Sequence, residues 1–237
     1  MKLILIRHGD PDYVHDALTE KGVREAKLLA ERVAGWNVKD FYCSPLGRAQ
    51  ATASYSLEKL NRTAITKDWM QEFYYRVKDI HTGNERIAWD LMPCDWTKDP
   101  LLYDKDHWTT SNFMGNGILE PHYQSVCEGL DALLAEHGYC RKDNYYQAVK
   151  PNTDTIVVFC HLGVICVMLS HLLGIAPSPL WQGIFLAPTS VTILKTEERI
   201  KGDAYFRCQV IGDTSHLLAG PEPISPAGSF IESSSGL

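Results

Sequence analysis

Side chains suited to phosphate chemistry stand in separate parts of the sequence, each soon after a short apolar run. Arg7 and His8 follow the first run, Arg48 comes shortly after the second, and His161 follows the most apolar one. Two guanidinium groups can hold phosphoryl oxygens through bidentate, charge-assisted hydrogen bonds. One neutral imidazole can attack phosphorus to form a covalent intermediate, and a second, protonated, can stabilise the charge that develops. These residue types indicate phosphoryl transfer.

A carboxylic acid would complete this chemistry, because the departing alkoxide needs a proton and the attacking water must later lose one. Glu72 comes shortly after the stretch that we predict as a third strand, and Glu85 is the alternative within the next segment. The inventory of two arginines, two histidines and one acid needs no metal ion and no organic cofactor.

The elements that must position these groups are strands that alternate with helices. The predicted strands cover residues 2–6, 40–43, 64–66 and 154–160, with a later pair at 189–196 and 204–211. The predicted helices cover residues 19–34, 44–60, 121–137 and 163–173. The alternation predicts an α/β fold, a three-layer α/β/α sandwich around a mostly parallel sheet. In such sheets ligands bind beyond the carboxyl ends of the strands, where the candidate residues stand.

The middle of the chain departs from this pattern. Residues 73–120 hold three of the six tryptophans and show little periodicity. We therefore predict an inserted lid or subdomain on the sheet. The alternative is an excursion of the chain that only fills space. The candidates there to bind a second anionic group are Arg76, Lys78, His81 and Arg86, and the alternative is a charged segment that faces solvent. We expect one α/β domain over residues 1–220 and a poorly packed tail over residues 221–237, which is rich in Pro, Ser and Gly.

Composition argues against several classes of protein. The 237 residues carry a formal net charge of −6, so a nucleic-acid partner is not expected. No apolar run reaches the ~18–20 residues of a membrane helix, and the first run is too short for a secretory signal. The seven cysteines are widely spaced and odd in number, which argues against a disulfide framework or a zinc site. We therefore expect a cytoplasmic protein with a small phosphorylated substrate and no membrane partner. The sequence is compatible with both a monomer and a homo-oligomer.

Four parts of the sequence resemble, in order, the motifs of the histidine phosphatase superfamily in its phosphoglycerate mutase-like branch. The resembling stretches are Leu5–Gly9 for R-H-G, Ser44–Thr52 for S-P-x-x-R-A-x-x-T, and Cys160–Val164 for S-H-G-G-V. Glu72 stands where that family carries its proton-donor glutamate. The resemblance spans about residues 1–72 and 154–217, and it does not cover the middle of the chain.

The resemblance implies an activity and roles for individual residues. The activity is hydrolysis of a phosphomonoester, a small phosphorylated metabolite, through a phosphohistidine intermediate. The catalytic residues it implies are His8, Glu72 and His161, with His8 as the nucleophile and Glu72 as general acid and base. The phosphate-binding residues it implies are Arg7, Arg48, His161 and the backbone N–H of Leu162.

Two departures from the family pattern favour a phosphatase over a mutase. The chain continues after Gly9 with Asp10 and Pro11, whereas the mutases typically carry Glu or Gln and then Ser or Thr. Cys160 and Leu162 stand where Ser and Gly are common, and we expect Cys160 to be a buried packing thiol. The alternatives are a phosphoglycerate mutase-type phosphotransferase and a catalytically weak phospho-ligand binding protein.

Overall fold

The apolar runs of the sequence form a central eight-stranded sheet in the computed structural model, which describes residues 1–230. The strands of this part of the chain, including two small sheets of two strands each, are β1 (Lys2–Arg7), β2 (Pro11–Asp12), β3 (Ala17–Leu18), β4 (Asp40–Cys43), β5 (Ile65–Thr66), β6 (Arg76–Lys78), β7 (Glu85–Ile87), β8 (Tyr139–Lys142), β9 (Tyr145–Ala148), β10 (Thr155–Cys160), β11 (Val191–Ile200) and β12 (Asp203–Asp213). The α-helices are α1 (Glu20–Ala34), α2 (Gly47–Leu60), α3 (Pro93–Trp96), α4 (Glu120–Glu136), α5 (Leu162–Leu173), α6 (Pro177–Gly183) and α7 (Ser215–Ala219). Short 3-10 helices cover Asp68–Met70, Pro100–Tyr103, Trp108–Thr110 and Asn112–Met114.

The order of strands in the main sheet is β5-β4-β10-β1-β11-β12-β9-β8. The first four strands are parallel to one another, whereas each later pairing is antiparallel. Because β12 and β8 thereby point the same way as β1, six of the eight strands share one direction, and the mostly parallel sheet is confirmed. β1 and β10 pair along their whole length, up to Arg7 and Cys160. The chain therefore leaves the sheet at His8 and His161 side by side.

Side chains that alternate along each strand give the sheet two buried faces. Ile4 and Ile6 of β1 belong to an apolar cluster with residues of α1 and α2. Leu3 and Leu5 belong to the larger cluster on the other face, together with residues of α4, α5 and α6. Helices thus cover both faces, and the three-layer α/β/α sandwich is confirmed.

The first two helices begin in different ways. α1 begins as predicted, with the Thr19 side chain accepting a hydrogen bond from the Gly22 amide. α2 begins at Gly47, so the prediction that it opens at Ser44 is wrong. The Asp16 carboxylate accepts from the Gly47 amide at 2.6 Å. The Ser44 hydroxyl lies instead 2.8 Å from Nε2 of His161, which makes it part of the site.

Among the elements without a counterpart in the sequence predictions are β8, β9, α6 and α7. The hairpin of β8 and β9 extends the sheet, but β9 pairs with β12 only at Asp203 and Ala204. The helices α6 and α7 have seven and five residues. Elements this short carry too few residues for hydrophobic periodicity to reveal them. None of the helices in residues 1–230 is both long and apolar enough to span a membrane.

The segment 73–120 folds into short elements rather than long ones. It contains the β6–β7 hairpin, α3 and three of the 3-10 helices. Trp108 is buried in the larger apolar cluster and packs edge-on against Trp181. Trp89 is only partly buried, and its ring lies 6.2 Å from that of Phe230, in the tail. The tryptophans of this segment therefore have different surroundings, and only Trp108 fills the core.

Candidate active site

The fold fixes His8 by its backbone and by one ring nitrogen. Its amide donates to the Cys160 carbonyl at 2.9 Å, which extends the pairing of β1 with β10 by one residue. Its Nδ1 lies 2.7 Å from the carbonyl oxygen of Gly9. Because a carbonyl oxygen only accepts hydrogen bonds, Nδ1 must carry the proton. Nε2 of the neutral ring therefore keeps its lone pair, as a nucleophile requires.

The surroundings of His8 keep this ring neutral. The side chain is buried, and burial lowers its pKa well below the usual value of 6.5. The positive charges of Arg7 and Arg48 lower that pKa further. At neutral pH the ring is thus available for attack without losing a proton first.

His161 is the second imidazole of the site, at the end of β10 and at the N-terminus of α5. Its ring centroid lies 5.0 Å from that of His8. Its Nδ1 is buried and has no hydrogen-bond partner in residues 1–230. Burial lowers the pKa of His161 well below 6.5, and the neighbouring His8 and Arg48 add to this. The lowered pKa favours the neutral ring in this structure, whereas a phosphate dianion beside it would raise the pKa towards the protonated form that the sequence analysis expects during the reaction.

The two arginines are buried around the histidines. Nη1 of Arg7 donates to the carbonyl oxygens of Leu186 and Ala227, at 2.5 and 2.8 Å. Nη1 of Arg48 donates to Oδ1 of Asp16 at 2.6 Å. Within the described part of the chain, Nε of both arginines is buried without a partner. Each guanidinium group thus keeps donor capacity that an anion can use.

Glu72 lies at the N-terminus of α5, beside the second histidine. Its Oε1 accepts from the backbone amides of Phe73 and Val164, at 2.8 and 3.0 Å. A Cβ added to Gly163 would stand 2.6 Å from this oxygen, so the close approach of the carboxylate requires glycine there. Leu162 is the first residue of α5, and its amide therefore has no acceptor within the helix.

Burial is the main influence on the acidity of Glu72. Burial raises the pKa of its carboxyl group, although the Phe73 amide and the positive Arg7 act in the opposite direction. Glu85 is different, because it lies exposed on β7, opposite Lys78 of β6. The structure thus holds Glu72 at the N-terminus of α5, the helix that follows His161, and leaves Glu85 on a surface hairpin.

Comparisons with known proteins agree with this geometry. A model of the histidine phosphatase superfamily (branch 1) matches residues 3–101 and 144–202. The chain belongs to this superfamily. A phosphohistidine intermediate is typical of the family.

Individual relatives support the same assignment. A protein named probable phosphatase from Schizosaccharomyces pombe is 25% identical over 233 residues, which are 92% of this chain and 95% of the relative. A 2,3-bisphosphoglycerate-dependent phosphoglycerate mutase from Thermoplasma acidophilum is 37% identical over 73 residues, 27% of this chain and 36% of the relative. A phosphoserine phosphatase mutant from Entamoeba histolytica, solved with phosphoserine, has a TM-score of 0.61 and 21% identity, covering 91% of this chain and 98% of that one. The family match and these relatives confirm the predicted superfamily and the predicted phosphatase activity.

In this histidine phosphatase a further chain of contacts, missed in the sequence analysis, holds the backbone of His8. The Thr189 amide donates to the His8 carbonyl at 3.1 Å. Thr189 has a φ of +58°, a conformation that β-branched residues rarely adopt. Its hydroxyl donates to the Pro188 carbonyl, so its oxygen accepts from Nε2 of His216 at 3.0 Å. Burial, and then the charge of Arg32, lowers the pKa of His216 to about 4.

The expectation of a poorly packed tail is wrong for residues 221–230, while 231–237 lie outside the described residues. Glu222 forms ion pairs with Lys21 and Arg24, both at 2.9 Å. Ser225 is buried and its hydroxyl donates to Asp10. A Cβ added to Gly228 would stand 2.8 Å from a guanidinium nitrogen of Arg7, and this glycine has a φ of +86°. The tail therefore packs directly onto Arg7, one of the residues expected to bind phosphate.

The basic residues of the segment 73–120 do not assemble a second anion site. Nη2 of Arg86 donates to the Phe113 carbonyl at 2.7 Å, and Nε2 of His81 lies 3.0 Å from Asp95. Arg76 and Lys78 are exposed on β6. These contacts of Arg86 and His81 join parts of the segment to one another, whereas Arg76 and Lys78 face solvent.

Cys160 lies beside the site but has no reactive surroundings. It is fully buried, and burial raises the pKa of its thiol well above the usual range. It packs in the larger apolar cluster, as expected. In residues 1–230 no group of three or more His, Cys, Asp or Glu side chains could hold a metal ion.

Proposed function

We propose that this protein hydrolyses a small phosphomonoester through a phosphohistidine formed on His8. The observation that carries the proposal is the hydrogen bond from Nδ1 of His8 to the Gly9 carbonyl, which leaves Nε2 unprotonated. The lowered pKa of the same ring supports a neutral nucleophile at pH 7. The unpartnered nitrogens of Arg7, Arg48 and His161 support a pocket for phosphoryl oxygens.

The reaction has two displacements. Nε2 of His8 attacks phosphorus, the ester P–O bond breaks, and Glu72 gives its proton to the departing alkoxide. Water then attacks the phosphohistidine, the N–P bond breaks, and Glu72 takes a proton from that water. Arg7, Arg48 and the Leu162 amide hold the phosphoryl oxygens during both steps. The raised pKa of Glu72 supports its role as the acid of the first step.

An assay with 3-phosphoglycerate, in the presence and absence of 2,3-bisphosphoglycerate, separates a hydrolase from a mutase. We expect release of inorganic phosphate that does not depend on the bisphosphate. Interconversion of 2- and 3-phosphoglycerate that depends on the bisphosphate would instead establish a mutase. If no member of a broad phosphomonoester panel is turned over while inorganic phosphate still binds, the protein is a phospho-ligand binding protein.

We also propose a cytoplasmic location and a single catalytic domain. All seven cysteines are free thiols, which supports a reducing compartment. The domain would span residues 1–220, with the segment 73–120 as an insertion and 221–237 as a tail. Fluorescent tagging with subcellular fractionation tests the location, and a single cooperative unfolding transition by calorimetry supports one domain.

A further inference from the structure

A cavity whose described lining consists of uncharged residues lies beside the phosphate-binding residues. It has a volume of about 500 Å³, within the range of sites for small molecules. Three separate segments form its walls: the segment 73–120 through Trp89, the loop after α6 through Ile184 and Phe185, and the tail through Ile224 and Phe230. The rings of Trp89 and Phe230 lie 6.2 Å apart, so two segments distant in sequence meet at this cavity.

The cavity adjoins the residues assigned to catalysis and phosphate binding. Leu162, which follows His161 directly, lines it, and so does Gly228, which packs on the guanidinium group of Arg7. Nε1 of Trp89 donates to the Phe73 carbonyl at 3.0 Å, next to Glu72. A Cβ at Gly163 would stand close to both Trp89 and the Glu72 carboxylate. A group attached to a phosphate at His8 therefore has this cavity as its neighbour on the side of the proton donor.

The tail holds its wall of the cavity through fixed contacts. Glu222 is tied to Lys21 and Arg24 of α1, and Ser225 is tied to Asp10. The Ala227 carbonyl accepts from Nη1 of Arg7, the same side chain that is to bind the phosphate. These contacts tie the position of Phe230 to the position of the phosphate.

Within residues 1–230 the lining carries no charge that could recognise an ionic substrate. None of the thirteen described residues that line the cavity is Asp, Glu, Lys, Arg or His. A carboxylate, an ammonium group or a second phosphate placed there would lose its hydration without gaining an opposite charge, which is costly. An aromatic or bulky apolar group would instead gain free energy in proportion to the area that it buries.

We propose that this cavity binds the leaving group, and that the substrate is the phosphate monoester of an uncharged aromatic or bulky apolar alcohol. This inference rests on the proposed function, since it requires a phosphate held at His8. It assigns a role in specificity to the tail, with Phe230 as the wall opposite Trp89.

The test compares three esters that all release a primary alkoxide, so that leaving-group chemistry differs little. These are 2-phenylethyl phosphate, phosphoserine and 3-phosphoglycerate. We expect kcat/KM for 2-phenylethyl phosphate to exceed the other two values by at least about tenfold, as burial of a phenyl ring allows. Phe230→Ala should reduce this preference by about fivefold, mainly through a higher KM for the phenyl ester. Leu218→Ala, at an exposed apolar residue outside the cavity lining, is the control and should keep the preference.

Phe230→Leu keeps an apolar wall and should keep most of the preference, which covers the case in which the alanine variant does not fold. Equal kcat/KM values for the three esters, or a preference for a charged one, would overturn the subsite. An equal loss on all three esters in Phe230→Ala would do the same. In those cases the proposed function still holds if His8→Ala abolishes hydrolysis of the esters. If His8→Ala retains the turnover of all three esters, the proposed function itself is wrong.

Discussion

The two halves of the candidate site are built from different kinds of structure. His8 and His161 follow the adjacent strands β1 and β10, and Arg48 lies in the first turn of α2; all three side chains are buried. The leaving-group half comes from the segment 73–120, the loop after α6 and the tail, and Phe185 and Phe230 there are 45% and 52% exposed. Catalysis by fixed charges depends on direction and distance, so it needs rigid elements. Apolar contact has no preferred direction, so irregular segments can provide it. Residues of such segments can change without loss of the catalytic chemistry.

The largest expected effect comes from the phosphate half. We expect His8→Ala to lower kcat/KM by at least about 10⁴-fold for alkyl and aryl phosphates alike, because every substrate needs the nucleophile. Steady-state kinetics on both classes of ester measure this. His15→Ala is the control, because His15 is exposed and paired with Asp12, and it should keep full activity. Substantial turnover in His8→Ala would remove the nucleophile from the account.

Glu72 lies where the two halves meet, and its effect should depend on the substrate. Glu72→Gln should lower kcat/KM for alkyl phosphates by ~10²–10⁴-fold, the usual contribution of proton donation to a poor leaving group. For p-nitrophenyl phosphate the loss should be much smaller, because p-nitrophenolate leaves without a proton. Glu72→Gln should also flatten the limb of the pH profile that reports the acid.

Glu85→Gln is the matched control for that variant. It should behave like the wild type on both substrates, since Glu85 lies exposed on β7. A selective loss on alkyl phosphates in Glu85→Gln, with an equal loss on both substrates in Glu72→Gln, would transfer the role of proton donor to Glu85.

The buried histidines in and around the phosphate half should make the stability of the fold sensitive to acid. The pKa of His216 falls from 6.5 to about 4 on burial, so between these pH values the unfolded chain binds a proton that the folded chain does not. Folding is therefore favoured above pH 6.5 and loses about 3 kcal/mol from this residue as pH falls to 4. The buried His8 and His161 act in the same direction.

Denaturant unfolding at several pH values isolates the share of His216. His216→Gln keeps an amide donor for Thr189 but has no titrating group. Its free energy of unfolding should fall with acid less steeply than that of the wild type, by about 1.4 kcal/mol per pH unit within this window. Identical slopes for the two proteins would show that His216 is not held neutral in the fold.

The smallest expected effect is that of metal removal. Two arginines and His161 already supply the charged groups that bind the phosphoryl oxygens, so EDTA should leave kcat within about twofold of its starting value. A loss of activity that added Mg²⁺ or Zn²⁺ reverses would place a metal ion in the mechanism. It would contradict the roles assigned to the phosphate half.

The contrast between the halves also sets what the sequence could predict. β1, β4 and β10 are apolar runs, and α1 has both a capping residue and a periodic face, so these elements and the residues after them could be read from local pattern. The start of α2 was missed because Asp16 of another loop provides the cap. Such a contact leaves no trace in the residues next to the helix.

The leaving-group half was missed for a related reason. The tail is rich in Pro, Ser and Gly, which is typical of loose segments, yet Glu222 and Ser225 bind charged residues about 200 positions away. Arg86 and His81, two of the candidates for a second anion site, instead form contacts within the segment 73–120. Local composition shows which side chains are present, whereas their partners depend on the tertiary fold.

The covalent intermediate is the central claim, and trapping it is the most direct test. Wild-type protein incubated with a ³²P-labelled substrate and quenched rapidly in alkali should carry label that is stable to base and labile to acid, as expected for phosphohistidine. Peptide mapping should place the label on His8, and His8→Ala should carry none. Label on another residue would contradict the mechanism. So would release of product in a single-turnover experiment in which no phosphoenzyme is trapped at any time.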